Sequence, residues 1–236
     1  MEWLLQGLIG ASVGVAGTGL GGAISYFMRG TQKILGPLMA ASSGMMLAVS
    51  LVDLVPESLN NAGTLAYGAI ALGMALVFFL GRWVAGKEKS GPGLRETGIM
   101  MGISIALHNL PEGLAIGSGF VSPANIGPSL ALVILLHNIP EGLAMGVPLK
   151  ASGLGASIVG YAMLSGLPEG IGAVIGYGIG GISSQFYGLC MGFAAGAMIL
   201  VVYKLLVQAF GYGKRWKSAL GLLLGAALGF LISILI

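Results

Sequence analysis

Long apolar runs dominate the hydrophobic pattern of this chain. Eight of them are separated by charged residues, by Gly and Pro, or by Asn. A helix needs about 20 predominantly apolar residues to cross the hydrocarbon core of a bilayer. The pattern therefore predicts eight transmembrane helices, at residues 3–28, 36–58, 63–85, 97–120, 127–148, 152–177, 184–209 and 216–236.

The composition favours the same class of protein. Of the 236 residues, 56% are hydrophobic and 8% are charged, and the mean hydropathy is +0.95. A soluble globular domain is about 25% charged. The connecting loops are short, and the polar stretch 86–96 is too small to be a separate domain. We expect an all-α, polytopic membrane protein with one transmembrane domain over residues 1–236, surrounded by the lipid bilayer.

The basic residues indicate the orientation of the spans. All eleven Lys and Arg fall in or next to the loops that follow spans 1, 3, 5 and 7, and none lies in the other loops or at the termini. Basic residues concentrate on the cytoplasmic side of membrane proteins. This distribution predicts that both termini lie outside the cytoplasm of a multi-pass inner-membrane protein. The basic residues form no patch, so no nucleic-acid partner is expected.

Five acidic residues lie inside the predicted spans, and they are the strongest indication of function. An ionisable group within the membrane is costly and marks a functional site by default. We expect the spans to offer no Lys or Arg as a partner. The carboxylates therefore need protons, metal cations or water, and this applies to Asp53, Glu57, Glu112, Glu141 and Glu169.

A repeated motif carries two of these acids. Residues 108–113 read His-Asn-Leu-Pro-Glu-Gly, and residues 137–142 read His-Asn-Ile-Pro-Glu-Gly. Residues four apart share one face of a helix, so each motif presents an imidazole together with a carboxylate. Two such faces turned toward each other predict a site for zinc, iron(II), manganese or a similar divalent ion.

The neighbouring residues extend the predicted site. Pro precedes Glu at positions 56, 111, 140 and 168, and each proline is expected to free a carbonyl and bend its helix. The glycines after Glu112, Glu141 and Glu169 leave room for a facing helix. Asn follows each His and points about 100° away on a helix. We therefore expect a binuclear centre with shared carboxylates, in which His108, Glu112, His137 and Glu141 form one site and Asn109, Asn138 and Glu169 complete the other.

At these residues the chain resembles the ZIP family of divalent-metal transporters, and most closely its bacterial ZupT/GufA-like branch. The resemblance is carried by the two His-Asn-x-Pro-Glu-Gly motifs, by Ser165-Gly166-Leu167-Pro168-Glu169 in span 6 and by residues 43–56 in span 2. Eight spans with outside termini also fit this family. The chain lacks the His-rich loop between spans 3 and 4 that many relatives carry.

The resemblance implies a fold and further roles. It implies a bundle of 3+2+3 helices in which spans 1–3 and 6–8 are related by pseudo-symmetry, a homodimer, and an elevator-like or rocking motion. It also implies that Met46 contributes to the first metal site and that Asp53 lines the pathway.

The expected function is uptake of Zn²⁺, and also of Fe²⁺, Mn²⁺ or Cd²⁺, into the cytoplasm, with the metal as substrate and no organic cofactor. Two alternatives stay open at this point. An intramembrane metal-dependent hydrolase would use an open metal position with a bound water, although no His-Glu-x-x-His motif is present. A proton- or sodium-coupled carrier of organic solutes would favour oxygen ligands over paired imidazoles.

Overall fold

The computed structural model describes residues 2–27, 32–85, 94–122, 125–211 and 214–235. The regular structure in these ranges is entirely helical, with no strand. The described residues contain ten α-helices, which are α1 (Glu2–Phe27), α2 (Gln32–Val49), α3 (Val55–Ala62), α4 (Leu65–Ala85), α5 (Leu94–Phe120), α6 (Gly127–Ala151), α7 (Ser157–Gly166), α8 (Pro168–Gly180), α9 (Ser184–Gly211) and α10 (Arg215–Leu235).

These helices form eight units that are long and apolar enough to cross a membrane, as the sequence predicts. Two of the units are composite. Helices α2 and α3, joined by a π-helical turn at Ser50–Leu54, make one crossing over Ile34–Ala62, and α7 with α8 makes another over Ser157–Gly180. The remaining units are α1, α4, α5, α6, α9 and α10, so the prediction of eight spans is confirmed within the described residues.

Two boundaries of the predicted spans differ by four or five residues from those of the membrane-spanning units. The second span continues past residue 58 to Ala62 and ends before Gly63, which has a φ of +56°. The sixth span begins at Ser157 rather than at residue 152, because Gly153 has a φ of +88° and the chain turns there. In both cases a glycine adopts a conformation that other residues rarely adopt.

Two of the four Pro-Glu pairs lie at interruptions of the helical pattern. The π-helical turn precedes Pro56, and the sixth span breaks at Leu167, directly before Pro168. The carbonyl of Leu164, which proline would otherwise leave unpaired, accepts a hydrogen bond from the amide of Leu167 at 3.3 Å. Pro111 and Pro140 lie inside continuous helices.

The helices pack as two bundles. The first bundle contains α1, α5, α6, α7 and α8, and the second contains α2, α3, α4, α9 and α10. The contacts between spans come in two equivalent pairs. Span 1 packs on span 5, and correspondingly span 6 packs on span 4. Span 2 packs on span 8, and correspondingly span 7 packs on span 3. This pairing agrees with the predicted 3+2+3 pseudo-symmetry.

Glycines bring the helices of the first bundle into close contact. A Cβ at Gly113 would collide with the backbone of Glu169, and one at Gly142 would collide with the carbonyl of Thr18. Small residues allow such approaches in membranes, where lipid provides no hydrophobic drive for helix association. The glycines after Glu112 and Glu141 therefore have the packing role expected from the sequence.

Candidate metal centre

The repeated motif places two histidines and two glutamates between α5 and α6. His108 and Glu112 lie four residues apart on α5, and His137 and Glu141 lie four apart on α6. All four side chains are buried inside the first bundle. Ionisable groups are costly inside a membrane, so the burial of these four side chains indicates a function rather than a packing role.

The contacts between imidazole and carboxylate in this centre run across the two helices. His108 Nε2 lies 2.9 Å from Glu141 Oε2, and His137 Nε2 lies 3.1 Å from Glu112 Oε1. Each imidazole thus pairs with the carboxylate of the other motif rather than with the one on its own helix. This exchange brings both motifs into one polar layer.

Three of the side chains meet closely enough to share a metal ion. One ligand atom each from His108, Glu112 and Glu141 lies within 4.8 Å of the other two. Two carboxylates and an imidazole suit zinc and other borderline divalent ions. His137 lies outside this triplet and contacts it through Glu112. Of the four residues predicted for the first site, these three therefore lie closest together.

A second layer of polar groups adjoins the triplet. Asn138 Nδ2 donates to Glu169 Oε2 at 2.9 Å, and Asn109 Nδ2 donates to the carbonyl of Ser165 at 3.0 Å. Glu169 lies in the first turn of α8, directly after the break at Leu167. The hydrogen bond from Asn138 thus connects this third carboxylate to α6, the helix that carries His137 and Glu141.

Several acceptor atoms in these layers are buried and make no hydrogen bond. Native proteins pair the large majority of their buried polar atoms, so a concentration of unpaired acceptors needs an explanation. Divalent-metal ligation supplies one, since each of these atoms carries a free lone pair. They are Asn109 Oδ1, Glu112 Oε2, His137 Nδ1, Asn138 Oδ1, Glu141 Oε1 and Glu169 Oε1.

Asp53 and Met46 lie in other surroundings. Asp53 Oδ2 accepts a hydrogen bond from Ser233 at 2.6 Å. Met46 is fully buried in an apolar cluster that also contains Val49 and Ile134. Neither contact joins these residues to the His/Glu triplet, and their predicted roles at the pathway stay predictions.

A separate polar group lies beside Asp53 in the second bundle. Glu57 Oε2 accepts hydrogen bonds from Tyr187 at 2.9 Å and from Asn61 at 3.1 Å. Together with Asp53 and Ser233, these residues form what we call the Glu57 cluster. It satisfies Glu57 with neutral donors, so this intramembrane acid has partners that the sequence did not reveal.

The assignment of Lys204 to the loop that follows span 7 needs correction. This residue lies inside α9, and it lines a cavity of about 90 Å³ together with His108 and Glu141. The sequence analysis grouped Lys204 with the basic residues next to a loop and therefore missed its position within the span. Its location within the apolar run 184–209 was the available signal.

Sequence comparisons place this architecture in a known class of membrane proteins. The sequence model of the ZIP zinc transporter family matches residues 86–236. The zinc transporter ZupT of Corynebacterium glutamicum is 34% identical, with 89% of this chain and 91% of that protein aligned. The zinc transporter ZIPB of Bordetella bronchiseptica is 33% identical over 94% of this chain and 78% of its own length. The zinc transporter GufA of Myxococcus xanthus is 30% identical over 96% of this chain and 97% of its own.

The chain therefore belongs to the ZIP zinc transporter family, as the motifs indicated. The similarity covers most of the chain and includes both copies of the His-Asn-x-Pro-Glu-Gly motif.

Proposed function

We propose that this protein transports Zn²⁺ and related divalent transition metals, including Fe²⁺, Mn²⁺ and Cd²⁺, into the cytoplasm across the inner membrane. The observation that carries the proposal is the pair of crossed His–Glu contacts, with unpaired acceptor atoms around them, inside a membrane-spanning bundle. The relatives bear the names of zinc transporters. Their names and the family support transport rather than catalysis, and they give the hydrolase alternative no support.

The centre has the composition of two adjacent metal positions. We place the first at His108, Glu112 and Glu141, with His137 and Met46 beside it. The second position takes Asn109, Asn138 and Glu169, and it shares Glu112 and Glu141 with the first. Shared carboxylates permit an ion to pass from one position to the next without losing all its ligands. A transported ion must bind well enough to enter and loosely enough to leave.

The direction of transport follows from the distribution of charge. The basic loops favour termini outside the cytoplasm, and a negative-inside membrane potential drives a dication inward by about 2.3 kcal/mol per charge for each 100 mV. Within the Glu57 cluster, Glu57 and Asn61 lie on α3 and Tyr187 lies near the start of α9, at the ends of these helices that we assign to the outside. We assign this cluster, with Asp53, to the entry side. The whole chain acts as a single transporter domain, and we include a homodimer of such domains in the proposal.

The proposal is tested by metal uptake into proteoliposomes that contain a metal-sensitive dye. Wild-type protein should admit Zn²⁺, and the double variant Glu112→Gln with Glu141→Gln should not, because the shared ligands lose their charge. Glu2→Gln is the matched control, since Glu2 contacts Tyr177 at the exposed end of α1 and lies far from the centre in the chain. Tight binding by the wild type without any uptake would contradict transport and favour a metal-dependent enzyme or a sensor.

A further inference from the structure

The cavity beside the metal centre leads from the ligands toward one end of the helices. His108 and Glu141 form its inner wall. Its other walls follow α5 back to Met101 and α9 forward to Gln208. Both directions approach the loops after spans 3 and 7, and seven of the eleven basic residues lie in or next to these two loops. This is the predicted cytoplasmic side. The cavity thus has the position of an exit path for an ion leaving the His108–Glu141 side of the centre.

One positively charged side chain lines this cavity. Lys204 lies on α9 of the second bundle, whereas His108 and Glu141 belong to the first bundle. The ammonium of Lys204 donates a hydrogen bond to the carbonyl of Val77 on α4 at 3.0 Å. A side chain at position 81 would collide with this ammonium, so Gly81 provides the space that it occupies.

The location of Lys204 is unusual for a membrane lysine. Such residues normally direct the ammonium along the apolar stem toward the headgroups. Lys204 lies seven residues before Gly211, where α9 ends, which corresponds to about 10 Å along the helix. Its ammonium instead contacts a carbonyl of the neighbouring helix. A charge held within the membrane layer is a functional group by default.

A fixed cation has a clear effect on a dication in the same cavity. Repulsion between the two weakens binding at the cavity-facing ligands, and a poorly solvated cavity strengthens this effect compared with bulk water. The carboxylates of the centre would otherwise hold a divalent ion tightly. Fast transport requires that the ion be released, so a positive charge beside the exit side shortens the time for which the ion stays bound.

We propose that Lys204 is a release residue of this transporter: its ammonium, held on the cavity wall beside Val77, weakens metal binding at His108 and Glu141 and speeds the departure of the ion into the cytoplasm. This inference rests on the proposed function. It adds to the ligand set a residue that binds no metal and belongs to the opposite bundle.

The test compares variants that separate the charge of Lys204 from its hydrogen bond. Lys204→Gln keeps a donor for the Val77 carbonyl but removes the charge. We expect it to bind Zn²⁺ about tenfold more tightly, because a repulsive charge is removed from the cavity that His108 and Glu141 line. In proteoliposomes the KM for Zn²⁺ and the maximal uptake rate should both fall. Lys217→Gln, at an exposed lysine of α10, should leave both quantities at wild-type values.

A chemical rescue tests the charge directly in folded protein. Lys204→Cys is made in a Cys190→Ala background, because Cys190 is the only cysteine. Alkylation with 2-bromoethylamine restores a lysine-like ammonium, and alkylation with iodoacetamide adds a neutral amide donor. Only the first reagent should restore the wild-type KM and maximal rate.

Each outcome bears on one of the two claims. Equal restoration by both reagents, or unchanged binding and uptake in Lys204→Gln, would overturn the release role and leave Lys204 as a structural tie between α9 and α4. Absence of Zn²⁺ uptake by the wild-type protein in the same vesicles would instead overturn the proposed function.

Discussion

Glu112 on α5 pairs with His137 on α6, with 3.1 Å between Oε1 and Nε2. His108 lies on the same helix as Glu112, four residues away, but pairs with Glu141 on α6. The two motifs are therefore joined by two reciprocal contacts across the helix pair. Neither motif completes the centre alone, which explains why the sequence needs both copies.

These crossed contacts predict a measurable energetic coupling. In a double-mutant cycle on the metal-free protein, Glu112→Gln and His137→Gln should show a coupling of about 0.5–3 kcal/mol in the free energy of unfolding, the range for contacting residues. The cycle of Glu112→Gln with His108→Gln should give a smaller coupling, although these residues are neighbours on one helix. Unfolding in mixed detergent micelles measures both cycles, and a larger coupling within α5 would contradict the crossed arrangement.

The amide of Asn138 orients Glu169, and its removal should weaken metal binding. Asn138→Ala leaves the Glu169 carboxylate without its 2.9 Å hydrogen bond. Loss of a group that orients a ligand typically costs about 10–100-fold in metal affinity, and we expect a loss of this size for Zn²⁺. Asn61→Ala is the matched control, since Asn61 contacts Glu57 in the Glu57 cluster. Competition titration with a chromogenic chelator gives both affinities, and equal losses would argue against a role of Glu169 at the centre.

The close packing of α1 on α6 predicts a strong effect at Gly142. A Cβ at this position would collide with the carbonyl of Thr18. Gly142→Ala should therefore reduce the free energy of unfolding by about 1–3 kcal/mol, as overpacking does. Gly160→Ala introduces a methyl group on a helix where nothing lies within 4 Å, and it should raise stability by about 0.5–1 kcal/mol through reduced backbone entropy. Equal effects at the two glycines would contradict the packing described for α1 and α6.

The orientation of the spans can be tested with single cysteines in a Cys190→Ala background. Ser183 lies in the turn between α8 and α9, and Lys214 lies directly before α10. The charge distribution predicts that Ser183→Cys reacts with a membrane-impermeant maleimide on intact spheroplasts. Lys214→Cys should react only after the membrane is permeabilised. The reverse pattern would place the termini in the cytoplasm and reverse the assigned direction of the exit cavity.

Much of this fold was predictable because membranes impose simple rules on sequence. Apolar length gave the number of spans, and four-residue spacing placed each His and Glu on one helix face. Sequence spacing could not predict that His108 pairs with Glu141, because this depends on how α5 and α6 are rotated against each other. The residues themselves were identifiable since no apolar packing role accounts for them.

Other features depend on contacts that the linear pattern does not contain. The sequence does not show which of the four prolines interrupt a helix. The helical pattern is interrupted before Pro56 and at Leu167, whereas Pro111 and Pro140 lie inside continuous helices. The position of the Lys204 ammonium against α4 depends on the space that Gly81 of that helix leaves free. Its proximity in sequence to the basic loop before α10 favoured a headgroup position instead.

The position of bound zinc decides whether the crossed His–Glu layer is the metal centre. Crystals or lipid-embedded samples prepared with Zn²⁺ can be examined by anomalous scattering at the zinc edge. We expect a peak between Glu112 and Glu141, in ligand contact with His108, and its loss in the Glu112→Gln, Glu141→Gln variant. Zinc confined to the Glu57 cluster, with no peak between α5 and α6, would contradict the assignment of the crossed His–Glu layer as the metal centre.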